Sequence, residues 1–476
     1  MRDRFARPLA AVALFTMILL PIAAQTEETV VPETEIPTAS PFGMGMLFGA
    51  VTLEGTVYNS IQLMPEFEFG KFALALNIDF RFTMQDNKFQ VYAEDWYFPD
   101  SGTFSEYLNL YLTKFEYIRY GTAVDPLYVH LGALPGVNLG TGFIVGGYTN
   151  MNLRPERKLF GAELVFDGSL VNFPYLGIDV FTSNISTWDL FGARLYTRPL
   201  AFTSSTLINR LEVGFSGVWD TDAFVYANPS ASDSNYWHVN YGSGLSKYGP
   251  GSPLGDKADT VQVYGMDIIE PLLSSPVASL ALYGDVVVQN PSNPKTGGMV
   301  GLGGKLFSFL TYSTQIRMNG EDFQPVYFDR AYDLEKVERY ELYSGKISRE
   351  AGTGYLGSLG FTMLQNGLVF YTSVEGPFSL PTGSAADNPL QYPFLKSSFT
   401  LAEGVLPYFD FQFWYEKKGI DSWSSLTSAE NALIGGLLNF RMKSAVITWV
   451  TDVKYNPATP DDPWTVSSKI QAGVSF

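Results

Sequence analysis

The chain of 476 residues has no cysteine, so it can form no disulfide and accept no lipid at a thiol. Only two histidines are present, His130 and His238, far apart in sequence, and neither belongs to a spacing that would hold zinc. Charged residues make up 17%, well below the roughly 25% usual in soluble globular chains. Beyond the N-terminus no apolar run approaches the roughly 20 residues a membrane-crossing helix needs, which excludes a bundle of such helices. What the chain has instead is 15% aromatic residues and 45 glycines with a mean hydropathy near zero. That mixture favours strands and turns over helices.

The N-terminus reads as a secretory leader. Arg2, Arg4 and Arg7 precede an apolar stretch from Leu9 to Leu20, and Ile22-Ala23-Ala24 offers a cleavage site. Residues 1–24 are therefore expected to be a signal peptide and 25–42 an acidic, proline-containing periplasmic linker. Without the leader's three arginines and one aspartate, 28 basic and 47 acidic residues remain, a formal charge of −19. Such a surface repels nucleic acid.

From residue 43 onward the dominant signal is alternation. Phe72, Leu74, Leu76, Ile78, Phe80 and Phe82 share one parity, with Asn77, Asp79 and Arg81 between them. Only a two-residue period separates these sets, so the segment is a strand with one apolar and one polar face. The pattern returns in 208–220, 310–318 and 408–416. Most such segments are long enough for the 9 to 11 residues of a spanning strand, whereas strands of soluble domains average about five or six. Read backwards from the C-terminus, the connections 456–464, 442–443, 417–432, 402–405, 376–394, 365–366, 319–353 and 307–309 alternate long and short. A soluble sandwich gives no reason for that order; a membrane barrel with short periplasmic turns and long outer loops does. The expected fold is all-β, a transmembrane antiparallel barrel of about 16–22 strands over 43–476, the full count giving 22. Ala331 to Ser344 carries charges at helical spacing and reads as a short helix at the mouth or as a solvated loop.

Closure fixes the faces, because an arginine on the lipid side at mid-bilayer costs about 2–4 kcal/mol. Arg81, Arg210, Arg317 and Arg441 must then face the lumen, together with Asn77, Asp79, Glu212, Gln315, Asp410, Gln412, Glu416 and Asn439. These twelve residues are the expected pore wall. A barrel this wide encloses water or a plug, and the long segments 221–258 and 319–353 are the ones available to fold inwards. His130 is expected on the wall and His238 on an outer loop, while Pro155-Glu156-Arg157-Lys158 reads as solvated. The glycine-rich "GGMVGLGGKL" at 297–306 lacks the lysine-hydroxyl ending of a phosphate cradle and reads as a strand that curves or packs closely. No catalytic motif, metal set or cofactor motif is found, so the chain is not expected to be an enzyme.

In these features the chain resembles bacterial outer-membrane β-barrel proteins of the porin class. The resemblance rests on the leader, the alternating strands and the terminal Ile470-x-Ala472-x-Val474-x-Phe476. That ending looks like the signal read by the barrel-assembly machinery, with Phe476 last. Trp464 and Phe476 lie on one parity about 30 Å apart along a tilted strand, roughly the apolar band with its aromatic girdles. The resemblance implies the cell outer membrane, contact with its lipid, and passive diffusion of small hydrophilic solutes, as a monomer or a homo-oligomer. A selective transporter of hydrophobic compounds or oligosaccharides, for which Tyr226, Tyr236, Trp237, Tyr241 and Tyr248 are available, is the first alternative. A surface adhesin or structural barrel is the second.

Overall fold

The computed structural model describes residues 42–475 apart from 54–55, 86–87, 97–102, 154–157, 206, 226–259, 365, 382–390, 429–430, 443–444 and 456–463. The leader and most of the linker, His238, the tyrosines of 226–248, residues 155–157 and Phe476 lie outside the described residues.

Strands β1 (Phe42–Leu53) and β2 (Thr56–Phe69) open the sheet as a hairpin. The third position is built from two pieces, β3 (Phe72–Leu76) and β4 (Ile78–Gln85), and the fourth from β5 (Lys88–Val91) and β6 (Phe115–Tyr120). Next come β7 (Leu127–Gly132), a short inner piece β8 (Val145–Gly146), β9 (Gly161–Asp167), β10 (Leu176–Thr182) and β11 (Leu190–Thr197). The middle of the wall is β12 (Glu212–Asp220), β13 (Val261–Ser274), β14 (Ser279–Gln289), β15 (Lys295–Leu306) and β16 (Leu310–Asn319). A second inner piece, β17 (Phe328–Asp329), precedes β18 (Gly352–Met363), β19 (Leu368–Pro377) and β20 (Phe394–Leu401). The last strands are β21 (Phe409–Lys417), β22 (Ala432–Met442), β23 (Ala445–Tyr455) and β24 (Trp464–Ser475).

Neighbours pair antiparallel throughout the wall, and β24 returns to β1 through Gly45↔Ser475 to Gly49↔Gln471. The sheet is thus a closed barrel of twenty strand positions, within the expected range; counting the divided positions as pieces gives 22. Closure leaves no edge to desolvate in hydrocarbon. Observed connections follow the expected alternation closely, with 307–309 reproduced and 319–353 becoming 320–351. This is the architecture of outer-membrane barrels.

The alternation of residue types becomes an alternation of environment. Phe48, Leu164, Leu195, Phe215, Met266, Val286, Ile316 and Ile470 are exposed on the outer face, Ile470 by 65%. Their strand neighbours Arg194, Asp267, Asp285, Arg317 and Gln471 are buried on the inner one. An exposed apolar belt of this kind is stable only against lipid.

The lumen is not uniformly open. Residues 133–153 and 158–160, between β7 and β9, and 320–351, between β16 and β18, fold inwards and join through the parallel pairs Phe328↔Val145 and Asp329↔Gly146. Helix α2 (Tyr332–Ser344) belongs to the second segment and ends on Gly345, whose φ of 78° suits a left-handed cap. Together the two segments form a plug with a real hydrophobic core. Leu134, Phe143, Ile144, Tyr148, Phe323, Phe328, Tyr332 and Val337 pack against wall residues Phe181, Val218, Val261, Val263, Val287 and Met299. Removing that surface from lumen water drives the docking. Glycines of the wall make room: a Cβ at Gly297 would enter the ring of Phe323, and one at Gly265 would lie 2.6 Å from Ile144. The glycine-rich strand 297–306 is therefore part of the plug's seat.

A further element has no counterpart in the sequence reading. Strands β6, β7, β9 and β10, of six or seven residues, rise only about 15–18 Å, short of the roughly 25 Å apolar band. Helix α1 (Phe104–Leu112) lies beside this notch. It exposes Phe104 and Tyr111, while its Ser105 hydroxyl donates to the Ser186 carbonyl at 2.7 Å. A helix satisfies its own backbone, so it can substitute for wall at that depth.

Candidate functional site

The site is the lumen that the plug leaves free, and the register places most of the expected wall residues on it. At the break between β3 and β4, the Asn77 backbone amide donates to the Lys114 carbonyl at 2.7 Å. Its side chain accepts from Gln62 Nε2 at 2.6 Å and donates to Glu116 Oε2 at 2.6 Å. Lys158, expected in a solvated loop, instead reaches Asn77 Oδ1 at 2.9 Å and forms an ion pair with Asp79. The plug segment is thereby tethered to the wall. Arg81 forms an ion pair with Asp95, donating from Nε to Oδ2 at 2.8 Å.

Across the barrel, Arg317 donates to Gln315 Oε1 and to Glu375 Oε2, each at 2.9 Å. Asn439 donates to Asp410 Oδ1 at 2.6 Å, and Arg441 joins Asp410 on one side and Glu403, at 3.0 Å, on the other. Gln412 and Glu416 share the inner face of β21 with Asp410 and Trp414. Glu212 receives Arg194 at 2.7 Å and Arg198 at 3.2 Å. Arg210 differs from expectation. It is exposed in the turn before β12, because the strand begins at Glu212 and the turn 198–211 is longer than the alternation suggested. His130 is buried on the inner face of β7 with Nε2 2.7 Å from the Ala133 carbonyl. Of the residues expected to form an assembly signal, Ile470 and Ala472 are exposed on the outer face and Val474 shares their parity.

The sequence reading named only Glu212 of a charged sector on the inner face of β9 to β14. Glu163, Asp167, Asp179, Glu212, Asp267 and Asp285 stand there against Arg194 and Arg198. Arg194 donates to Asp267 at 2.8 and 2.6 Å and lies 3.5 Å from Asp179; Arg198 forms an ion pair with Asp167 at 2.5 Å. The plug's tip rests on this group: Gly140, with φ of 57°, approaches so closely that a Cβ would sit 2.7 Å from Arg194 Nε. Thr141 Oγ1 donates to Asp285 at 2.7 Å. Six carboxyl groups stand here against two guanidinium groups.

On the opposite side the wall is polar and the plug stands off it. A recess lies between plug residues 135–147 and strands β19 to β21, lined by Tyr371, Lys396, Ser398, Gln412, Trp414 and Glu416, with Arg330 at its margin. Lys396 and Glu416 are register partners across β20 and β21, and Lys396 Nζ is 3.9 Å from Asp329 Oδ2.

No protein-family model matches the chain, and no curated protein matches its sequence. Among solved structures, the outer-membrane protein OpdK from Pseudomonas aeruginosa is 9% identical with a TM-score of 0.32, over 91% of this chain and 97% of that one. The siderophore receptor PiuA from Acinetobacter baumannii is 9% identical with a TM-score of 0.37, over 95% and 82%. CdiB from Acinetobacter baumannii is 8% identical with a TM-score of 0.27, and its match takes in 92% of this chain but 60% of CdiB. At these scores the likenesses carry nothing about what this chain binds or conducts.

Proposed function

We propose that the barrel is an outer-membrane channel through which small hydrophilic solutes diffuse passively between plug and wall. The observation that carries this reading is the asymmetry of the lumen. Strands from β10 to β15 pack against an apolar plug, and β19 to β21 keep Gln412, Ser398 and the facing pair Lys396 and Glu416 beside a recess. The plug narrows the path, and solutes are sieved by size and by the field of the wall. The carboxylate-rich sector of β9 to β14 biases that field towards cations. On this reading residues 1–24 direct export, the ending Ile470 to Phe476 serves the assembly machinery, and the barrel has no catalytic role or cofactor.

The test is a planar-bilayer recording of the refolded mature chain, after heat-modifiable mobility has shown a closed barrel. Discrete steps with a cation-favouring reversal potential are expected. A near-zero or anion-favouring reversal removes the selectivity; no steps from folded protein removes the channel and favours a barrel that only presents its loops.

A further inference from the structure

Trp414 is the one aromatic on the inner row of β21, where its neighbours are Gln412 and Glu416. Its register partner on β22 is Gly435, and a Cβ there would fall within the indole. The ring therefore lies flat across the β22 backbone. Flat rings over strand glycines recur in this wall, as Tyr196 over Gly177 and Tyr283 over Gly301. Those two are only 5% and 6% exposed, and Tyr196 lies beneath Arg194 and Arg198. They patch the wall. Trp414 is less buried and lines the open recess, so its second face remains available.

The surroundings define what that face would accept. Tyr371, Ser398 and Gln412 offer neutral donors and acceptors, and Lys396 faces Glu416 across the strands, while Asp329 is shared between Arg339 at 2.7 Å and Lys396 at 3.9 Å. A simple ion gains little where charges of both signs already face one another. A fully apolar solute would strip water from Ser398 and from Gln412, whose amide has only a 3.4 Å contact with Thr400 Oγ1, and that costs affinity. A pyranose ring fits both demands, with an apolar C–H face for the indole and hydroxyls around its rim.

We propose that this recess is a binding subsite for neutral saccharides, with a sugar ring stacked on Trp414 and its hydroxyls held by Gln412 and Glu416. The proposal rests on the channel reading and deepens it from size sieving to preference. The experiment adds maltotriose, a neutral gluco-oligosaccharide, to single channels of the mature protein. Concentration-dependent interruptions of the current are expected, about tenfold weaker in Trp414→Ala and partly kept in Trp414→Phe, a tenfold change being about 1.4 kcal/mol. Gly435→Ala keeps the tryptophan but displaces its ring, and is expected to weaken the block as well. Each variant is first shown to be folded by heat-modifiable mobility. Steps that maltotriose leaves untouched overturn the subsite while the channel stands; absent steps overturn the channel reading and the subsite with it. Equal block in wild type and Trp414→Ala, or stronger block by gluconate than by maltotriose, also overturns the subsite.

Discussion

Lys336 Nζ and Asp220 Oδ2 meet at 3.0 Å with both side chains fully buried, one on helix α2 of the plug and the other at the end of wall strand β12. Asp189 and Asp333 lie 3.7 and 3.8 Å from the same ammonium, and Tyr332 donates to Asp220 at 2.7 Å. Removing one partner of such a group costs about 3–5 kcal/mol, because the remaining charges stay desolvated. Lys336→Met is therefore expected to loosen the plug without opening the barrel. Larger or noisier current steps with unchanged heat-modifiable mobility would show it, and Lys336→Met with Asp220→Asn should restore part of the wild-type trace.

Docking of α2 should depend on pH in a defined direction. Burial, opposed by Lys336, pushes the Asp333 carboxyl up to about 7, above its ordinary value of about 3.9. A raised value means the docked state holds the proton more tightly, so this contribution is full below about pH 4 and lost as pH rises through about 7. Asp329 behaves oppositely: burial opposes its charge, but Arg339, Lys396 and Lys418 outweigh that and hold it at about 2. Its contribution is present above about pH 4 and lost only as pH falls through about 2. Between pH 5 and 8 the helix amides should thus exchange more slowly, after correction for intrinsic rates, at the acidic end. Asp333→Asn should flatten the difference; an unchanged slope in that variant would contradict the assignment.

Arg194 is the principal counter-charge to the carboxylate sector, touching Asp267, Glu212 and Asp179. Arg194→Gln is expected to move the reversal potential further towards cations and to lower thermal stability in detergent, since Asp267 and Asp179 lose this partner and Glu212 keeps only Arg198. A shift towards anions would mean that this sector does not face the conducting water.

How much of this was legible in the sequence depended on which solvent met each strand face. Where lipid lies outside and water inside, as at Phe72 to Phe82 or Phe409 to Glu416, residue type alternates and the faces were readable. In β13 and β14 both parities are apolar, with Val263 and Val287 buried against the plug and Met266 and Val286 exposed outside. That loss of alternation marks a wall face covered by protein, a signal that the sequence reading, which looked to 221–258 and 319–353, did not use for residues 133–153. Helix α1 left little trace, since the short "FSEYLNLYL" carries its polar stripe only at Ser105, Glu106 and Asn109. The Lys158 tether was invisible because its partners Asn77 and Asp79 are about 80 residues away. Arg210 was misplaced by the two residues that separate it from the start of β12.

The assignment of faces makes adjacent positions at the C-terminus behave differently. Ile470 is exposed outside and Gln471 is buried inside, 3.4 Å from Gln62. Ile470→Arg should cost about 2–4 kcal/mol of membrane stability, while Gln471→Asn should be tolerated. Phe476→Asp should impair assembly more than it alters conductance. The heat-modifiable fraction recovered in outer membranes reports on all three, and full recovery of the Ile470 variant would reverse the faces.

The most direct measurement compares single channels of the mature barrel with those of a variant in which residues 320–351 are replaced by a short turn. The expected result is small, cation-preferring steps from the wild type and markedly larger ones from the variant, because a docked plug occupies part of the lumen. Silence from correctly folded wild-type protein, or equal conductance from the two, would contradict the account.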